Sequence, residues 1–246
     1  MLLENKKVLI TGAGRGIGRQ TAIDMAKEGA VILGTGRTQE PLDEMAKQVL
    51  EVGGQAYTAT MDIADYEMCG QVIHSLAEKA GGIDILVHCA AIFEEAFFVD
   101  MTPEQWQRTI SIDLNGVYNV IHTAIPFIIE ARGSVVSVVS QDAFYGCPGY
   151  SHYGACKAAV VGLTRTLARE LGPDGVRLNC VAPGITETEM TRDRIAAGKN
   201  GYLEKLPVGH IGQPGEIASA IVFLASEKAS YITGQVIHAN GGMYLG

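Results

Sequence analysis

Seven short apolar runs, most of them rich in β-branched residues, recur along the chain and alternate with segments of helical period. Such alternation is typical of right-handed β-α-β units, whose strands form a parallel sheet that helices cover on both faces. The runs occupy residues 8–11, 31–35, 56–60, 85–89, 134–139, 177–182 and 235–239. The pattern therefore predicts an α/β fold built on a seven-stranded parallel sheet.

The chain is predicted to form a single domain over residues 1–246. Undivided α/β domains of roughly 200–250 residues are common, and no repeat, low-complexity tract or Pro/Ser-rich linker interrupts this sequence. The least regular stretch, at about 185–214, is polar and rich in helix breakers, and a helix is predicted after it at about 215–225. Because sites of such folds form at the carboxyl ends of the strands, we expect this stretch to be a mobile lid.

Charge and cysteine content disfavour several kinds of partner. The formal net charge is −8 and no cluster of lysines and arginines forms a stripe, so no nucleic-acid partner is expected. Five cysteines are odd in number and scattered without a C-x-x-C pair, which predicts neither a disulfide framework nor a metal site. Without a cleavable leader or an apolar run of about 18 residues, a soluble cytoplasmic protein with no membrane span is expected.

A glycine-rich segment, TGAGRGIGR at 11–19, lies between the first predicted strand and the first predicted helix. It does not fit G-x-G-x-x-G, but it fits T-G-x-x-x-G-x-G through Gly12, Gly16 and Gly18. In a doubly wound sheet, a turn at this place brings backbone amides and a helix N-terminus to a dinucleotide pyrophosphate. A tight glycine-rich turn is the plainer interpretation, but strand, turn and helix in this order favour the dinucleotide site.

Two arginines indicate which dinucleotide is bound. Nineteen residues after Gly18, where an NAD-binding domain places an acidic residue for the ribose 2′-hydroxyl, this chain has Arg37. A guanidinium can pair bidentately with a 2′-phosphate, which a carboxylate would repel. Arg15, in the glycine loop, adds a second positive charge. Two solvated surface arginines are the alternative, and the pair of positions favours NADP(H).

The segment YSHYGACK, at 150–157, is the strongest candidate for chemistry. Tyr153 and Lys157 are four residues apart on a predicted helix and so lie on nearly one face. An ammonium ~4–5 Å from the phenol contributes roughly 3–4 kcal/mol, which would lower the tyrosine pKa by about two units. Ser140, at the end of the fifth predicted strand, could hydrogen-bond a carbonyl oxygen. Y-x-x-x-K alone is weak evidence, but glycine loop, serine and Y-x-x-x-K in that order form a specific set.

With these motifs the chain resembles the short-chain dehydrogenase/reductase family from Lys7 to Met243, and it is most similar to the 3-oxoacyl-[acyl-carrier-protein] reductases within it. Further matching segments are Asp62 after the third strand, NCVAPG at 179–184 and ITGQVIHANGG at 232–242. The resemblance implies a single-domain Rossmann fold with three α/β/α layers, which is usually a homotetramer. It also implies hydride transfer between nicotinamide and a carbonyl or alcohol carbon.

The resemblance also assigns roles to individual residues. Tyr153 would be the acid/base, Ser140 would orient and polarise the substrate oxygen, and Lys157 would hold the nicotinamide ribose and depress the pKa of the tyrosine. Tyr150 and His152 would line the cleft or face solvent. The resemblance implies further cofactor contacts at the phosphates, the adenine and the nicotinamide end: Gly12, Arg15, Gly16, Ile17, Gly18, Arg37, Asp62, Ile63, Ala90, Pro183, Gly184, Ile185 and Thr188.

Two segments depart from the family pattern. The usual N-N-A-G reads H-C-A-A at 88–91, where His88 is expected to be a satisfied core histidine and the β-carbon of Ala91 could narrow the cofactor groove. The catalytic asparagine of the family falls on Asp113, and an ionised aspartate only accepts hydrogen bonds. Its charge would offset part of the effect of Lys157 on Tyr153. We predict that Asp113 either shifts the activity optimum upward in pH or is protonated in place.

The segments expected around the substrate are 92–98, 141–150 and the lid through Tyr202. Their aromatic side chains predict a fairly apolar pocket, or else contacts between subunits or core packing: Phe93, Phe97, Phe98, Phe144 and Tyr145.

Related carrier-protein reductases offer basic residues to an acidic partner in two segments that flank the fifth predicted strand. Here Arg132 is kept, but Glu130 and Asp174 bring the opposite sign, which disfavours docking of acyl carrier protein. The main hypothesis is therefore an NADP(H)-dependent carbonyl reductase or alcohol dehydrogenase with a small-molecule substrate. A true 3-oxoacyl-[acyl-carrier-protein] reductase is one alternative. An NADP(H)-binding protein with little catalysis is the other.

Overall fold

The computed structural model covers Met1–Gly246 and describes every side chain except those of residues 199 and 200. Seven parallel strands form one sheet in the order β3-β2-β1-β4-β5-β6-β7. The strands are β1 (Lys7–Thr11), β2 (Val31–Gly36), β3 (Gln55–Thr60), β4 (Ile85–His88), β5 (Ser134–Val138), β6 (Arg177–Pro183) and β7 (Val236–Ala239). The predicted seven-stranded parallel sheet is confirmed.

Eight α-helices connect and cover these strands. They are α1 (Gly16–Lys27), α2 (Gln39–Glu51), α3 (Tyr66–Ala80), α4 (Pro103–Ile110), α5 (Gly116–Ala131), α6 (Ser151–Leu171), α7 (Arg192–Leu203) and α8 (Pro214–Ala225). A π-helical turn, Ser111–Asn115, joins α4 to α5, and a short 3₁₀ turn, Gln141–Ala143, follows β5. The helix expected at about 215–225 is α8.

The hydrophobic core has one layer on each face of the sheet, because successive strand residues point to opposite faces. Along β1, Leu9 packs into the layer that α3, α5 and α6 cover. Its neighbours Val8 and Ile10 pack into the layer beneath α1, α2 and α8. The molecule therefore has the three α/β/α layers of a Rossmann fold, as expected.

One continuous helical segment, Pro103–Ala131, is long and apolar enough by length and composition to cross a membrane. Half of its most apolar window is buried inside the fold, where α5 packs against α3 and β4. A core helix of a soluble protein can have this length and apolar composition, and burial of half of the apolar window is what a core helix requires.

The segment expected to be a lid forms a third, small hydrophobic cluster of its own. Ile185, Ile195, Leu206 and Ile211 pack together, with α7 in the middle of the segment. Gly198 departs from helical geometry at φ −129° and ψ 17°, so α7 is kinked there. The segment covers the carboxyl edge of the sheet.

Candidate active site

A cleft of about 570 Å³ lies at the carboxyl ends of the strands, next to β1 and β4. The strand order reverses between these two strands, which is where doubly wound sheets bind their ligands. The cleft is lined by Ser140, Tyr153 and Lys157 and by all the other residues for which cofactor contacts are expected. Asp113 is the one predicted site residue that does not line it, because its side chain is buried behind Lys157.

The glycine loop needs its glycines for two physical reasons. Gly12 and Gly16 have φ of +67° and +51°, a left-handed conformation that side chains disfavour. A β-carbon on Gly12 would lie 2.9 Å from the backbone nitrogen of Ala90, and one on Gly16 would lie 3.1 Å from Cγ2 of Thr188. The loop can therefore keep this conformation, packed against Ala90 and Thr188, only when these positions carry no side chain.

Helix α1 begins in this loop with an open N-terminus. Its N-cap residue, Arg15, makes no side-chain cap, and the first turn contains no acidic residue. The first amides of a helix have no intrahelical partner, and together with the helix dipole they attract anions. The N-terminus of α1 is therefore suited to a phosphate group.

Arg15 and Arg37 are both exposed at the same end of the cleft. Neither forms an ion pair with a carboxylate of the described side chains. Three features fit the pyrophosphate and 2′-phosphate of NADP(H). They are the glycine loop, which has no room for β-carbons, the N-terminus of α1, which has no side-chain cap, and the two guanidiniums, which have no ion-pair partner among those side chains. The cleft volume also lies within the range of small-molecule sites.

Helix α6 presents Tyr153 and Lys157 to the other end of the cleft, one turn apart. Both are buried, and Nζ of Lys157 lies 5.3 Å from the centroid of the Tyr153 ring. Ser140 lies two residues beyond the end of β5, rather than in the strand as the apolar run had suggested. Its Oγ accepts the N–H of Asp142 at 3.1 Å and so fixes the 3₁₀ turn. The three side chains meet at this end of the cleft.

The pKa of Tyr153 differs from the sequence-based expectation. Burial raises the pKa of the phenol to about 12, and Lys157 acts in the opposite direction without overcoming it. Asp113 and Asp142 raise the pKa of Tyr153 further, while the Ser140 hydroxyl lowers it. The expected net decrease of two units was therefore wrong, because i, i+4 spacing does not reveal burial. Tyr153 is protonated near neutrality and can donate a proton.

Asp113 lies in the π-helical turn and is 0% exposed. Its Oδ1 accepts the N–H of Ile92 at 2.9 Å, and its Oδ2 lies 3.5 Å from Nζ of Lys157. Burial raises the pKa of Asp113, whereas Lys157 and the N–H of Ile92 lower it. Burial alone would lower the pKa of Lys157, but Asp113 raises it above its usual value. The aspartate thus pairs directly with the lysine, while Asn115 is exposed.

His88, at the end of β4, is buried, and only one of its two ring nitrogens has a hydrogen-bond partner within the described part of the chain. Its Nδ1 lies 3.1 Å from Oγ1 of Thr11, but its Nε2 has no hydrogen-bond partner among the described residues. Burial lowers the pKa of His88 to about 3, and Lys157 contributes in the same direction. His88 therefore lies in the core, as expected, but the expectation that its hydrogen bonding is fully satisfied was wrong.

Thr11 organises the unusual H-C-A-A segment, a role that sequence reasoning missed. Its Oγ1 accepts the N–H groups of Cys89 and Ala90 at 3.2 and 3.3 Å. The same Oγ1 lies 3.1 Å from Nδ1 of His88, so one hydroxyl joins the imidazole to the backbone of the next two residues. The only sequence signal was the threonine that opens T-G-x-x-x-G-x-G.

Only some of the aromatic residues expected around the substrate line the cleft. Phe93 lines the cleft and stacks on Tyr150, with ring centroids 4.1 Å apart. Phe97, Phe98 and Tyr145 are exposed instead.

Phe144 packs against His238 and Tyr244, away from the aromatic groups at the substrate end. Tyr150 and His152 are both buried and neither lines the cleft, so the expectation that they line it or face solvent was wrong. Helix α6 turns the side chain of His152 inward, to the face opposite solvent.

Arg194 of α7 also lines the cleft, and sequence reasoning missed it. It lies in the irregular stretch, where no periodicity indicated which side chains face inward. As for metals, no group of three or more possible ligands comes together in the part of the chain with described side chains.

The fold and this constellation define a dinucleotide-dependent oxidoreductase. Residues 12–244 match the family model described as enoyl-(acyl carrier protein) reductase. The chain is 39% identical to 3-oxoacyl-[acyl-carrier-protein] reductase FabG of Thermotoga maritima, over 100% of both chains. It therefore belongs to the short-chain dehydrogenase/reductase family, whose members act on CH–OH and C=O groups.

Solved structures agree with this assignment. A short-chain dehydrogenase/reductase described as glucose/ribitol dehydrogenase, from Brucella melitensis, superimposes with a TM-score of 0.94 at 37% identity, covering 100% of this chain and 99% of the other. Levodione reductase superimposes with a TM-score of 0.93 at 31% identity, covering 98% of each chain. The expected family is confirmed.

Proposed function

We propose that the protein is a cytoplasmic, NADP(H)-dependent oxidoreductase that transfers a hydride between nicotinamide and the carbon of a ketone or secondary alcohol. The observation that carries this proposal is the single cleft with two functional ends. One end holds the glycine loop with Arg15 and Arg37, and the other holds Tyr153 and Lys157. The substrate is a small molecule that enters beneath the lid at about 185–214.

The cofactor is held by groups along the whole cleft. Arg15 and Arg37 bind the 2′-phosphate, and the amides at the start of α1 bind the pyrophosphate. Asp62 and Ile63 contact the adenine. Ala90, which follows β4, contacts the nicotinamide end. Further contacts there come from the end of β6 and the residues after it: Pro183, Gly184, Ile185 and Thr188. When bound, NADP(H) supplies or accepts the hydride.

The chemistry of the chain itself is proton transfer at the substrate oxygen. Tyr153 donates its phenol proton to that oxygen during reduction, and the Ser140 hydroxyl orients the oxygen by hydrogen bonding. Lys157 stabilises the phenolate that forms, and Asp113 holds the ammonium in position at 3.5 Å. Because burial raises the pKa of Tyr153 to about 12, the protonated phenol dominates near neutrality and can act as the proton donor when a carbonyl is reduced.

A second candidate is reduction of a 3-oxoacyl group on acyl carrier protein. The name of the Thermotoga maritima relative and its full-length match favour it. The net charge of −8, together with Glu130 and Asp174 beside Arg132, disfavours an acidic carrier.

A third candidate is an NADP(H)-binding protein with little catalysis. Asp113 and the H-C-A-A segment motivate that candidate. The convergence of Ser140, Tyr153 and Lys157 at one end of the cleft counts against it.

The test is oxidation of NADPH or NADH by the purified protein with several substrates. The set includes small ketones, 3-oxoesters, diketones, a carrier-linked 3-oxoacyl group and an enoyl thioester. We expect turnover with NADPH and a higher kcat/KM for a small ketone or 3-oxoester than for the carrier-linked substrate. Preference for the carrier would select the second candidate, and tight NADPH binding without any turnover would select the third.

A further inference from the structure

The guanidinium of Arg194 lies at the substrate end of the cleft against aromatic rings. Its Cζ is 4.7 Å from the ring centroid of Tyr150, 5.3 Å from that of Phe93 and 5.8 Å from that of Tyr202. Cation–π packing of this kind fixes the plane of a guanidinium and removes part of its hydration. The charge is therefore held in one orientation inside the cleft.

Only part of the hydrogen-bonding capacity of Arg194 is used. Nε donates to the Tyr202 hydroxyl at 2.6 Å, and Nη2 donates to Sγ of Cys147 at 2.9 Å. A guanidinium has five N–H donors, so Nη1 and one N–H of Nη2 remain. Together these form the end of the fork that can bind a carboxylate bidentately.

The positive charge of Arg194 has no ion-pair partner among the described carboxylates. Asp142 lies in the same region, where Arg194 lowers its pKa against the larger effect of burial. Glu95 lies near Tyr150 and Cys147 and raises the pKa of both. Neither carboxylate forms an ion pair with the guanidinium, and Arg194 lines the cleft.

Arg194 is also close to the reacting groups. Phe93, which it contacts, packs edge-on against Tyr153 with ring centroids 4.9 Å apart. Arg194, Phe93 and Tyr153 all line the same cleft. Phe93 therefore lies in contact with both the guanidinium and the tyrosine ring, so one substrate in the cleft can approach both groups.

We propose that Arg194 is a specificity-determining residue that binds the carboxylate of the substrate, which makes the substrate a small oxo acid or hydroxy acid. This inference rests on the proposed function. A neutral substrate would leave the fixed cation with unpaired donors, whereas a carboxylate supplies two acceptors in matching geometry. The same guanidinium could bind a phosphate of a thioester carrier, and we favour the carboxylate because only one aromatic ring separates Arg194 from Tyr153.

The test compares oxo acids with their methyl esters, because esterification removes the charge and leaves the reacting carbonyl. Kinetics with NADPH are measured for 3-oxobutanoate, 4-oxopentanoate, their methyl esters and 3-oxobutanoyl-coenzyme A. In the unmodified protein we expect at least one acid to exceed its ester in kcat/KM. Arg194→Gln is expected to lower kcat/KM for that acid about 10- to 100-fold, mostly through a higher KM. The same substitution should change kcat/KM for the ester by less than about threefold.

Two further variants separate charge from structure. Arg192→Gln removes an exposed arginine that lies on the same helix but outside the cleft. It is expected to change kcat/KM for neither the acid nor the ester. Arg194→Lys keeps the charge but loses the fork, so it should recover only part of the acid activity. Circular dichroism and NADPH affinity of each variant show whether the fold and the cofactor site are intact.

Three kinetic results would overturn the inference. These are a preference for the esters in the unmodified protein, an equal loss for acid and ester in Arg194→Gln, and a loss confined to the coenzyme A thioester. Each of them leaves the proposed reductase in place, since carbonyl turnover is still seen. Absence of all carbonyl turnover would instead refute the proposed function. Calorimetric titration of butanoate into the NADPH-loaded protein then tests the site, and equal affinity in Arg194→Gln would overturn it.

Discussion

Asp113 and Lys157 place a carboxyl group and an ammonium 3.5 Å apart behind Tyr153, the residue proposed to transfer the proton. Asp113 raises the pKa of Tyr153, so replacing it with the neutral, nearly isosteric asparagine should lower that pKa. Alcohol oxidation needs the phenolate, and its rate should therefore rise at lower pH in Asp113→Asn. We expect the rising limb of the kcat/KM profile for oxidation to move down by about one pH unit.

The pH profile of kcat/KM for oxidation also distinguishes an ionised Asp113 from a protonated one. An ionised aspartate gives the downward shift, because the substitution removes a charge. A profile unchanged in Asp113→Asn would show that the carboxyl is protonated in place. Asp174→Asn, an exposed change outside the cleft, serves as the matched control.

His88 makes the fold sensitive to acid. Its pKa is about 3 in the folded chain and roughly 6.5 when unfolded, so folding favours the neutral imidazole. The resulting stability is complete above pH 6.5 and is lost as the pH falls from 6.5 towards 3. Between pH 7 and pH 5 this single group should remove about 2 kcal/mol from the free energy of unfolding.

Urea unfolding of His88→Asn at pH 7 and pH 5 tests this expectation. The loss of stability between the two pH values should be about 2 kcal/mol smaller than in the unmodified protein. His74→Asn, at an exposed histidine, should leave the loss unchanged. An equal loss in His88→Asn would show that the imidazole does not carry the acid sensitivity.

Residue-scale prediction from sequence worked where a motif fixes position and failed where burial decides. The glycine loop, Ser140 and Y-x-x-x-K placed side chains correctly around one cleft. The pKa of Tyr153 was wrong because its burial depends on segments far away in sequence. Arg194 was missed because only tertiary packing turns it onto Tyr150 and Phe93.

At the scale of elements, the β2–α2 connection is proposed to choose the dinucleotide. Arg37→Asp replaces the proposed 2′-phosphate partner with a carboxylate that would repel it. We expect the Kd for NADPH to rise about 10- to 100-fold while that for NADH stays the same or falls. Lys47→Asp makes the same charge change at an exposed position of α2 outside the cleft. If fluorescence titration gave the same NADPH affinity in Arg37→Asp, this role of Arg37 would be wrong.

Regular elements followed from the sequence, and irregular ones did not. Alternating apolar runs and helical segments predicted all seven strands and α8, because hydrophobic burial and periodicity are local signals. The π-helical turn at Ser111–Asn115 had no such signal. It is the element that directs Asp113 inward while leaving Asn115 exposed.

For the whole molecule, we predict a homotetramer. An aromatic cluster lies exposed on α3 and α5, where His122 packs between Tyr66 and Tyr118. Tyr66 and Tyr118 are 42% and 50% exposed, and surface aromatics of this kind are enriched in interfaces. Sedimentation equilibrium should give four times the chain mass, and Tyr118→Lys should give a smaller species. A monomeric protein, or a tetramer that Tyr118→Lys leaves intact, would contradict the use of this face.

Tyr153 is proposed to perform the acid–base chemistry of an NADP(H)-dependent reduction, and replacing it with phenylalanine tests this role. The rate of NADPH-dependent reduction of the best carbonyl substrate is measured for the unmodified protein and for Tyr153→Phe, together with the NADPH Kd of each. We predict that Tyr153→Phe keeps its NADPH affinity and loses turnover by about 10²- to 10⁴-fold. Turnover retained in Tyr153→Phe would contradict the account.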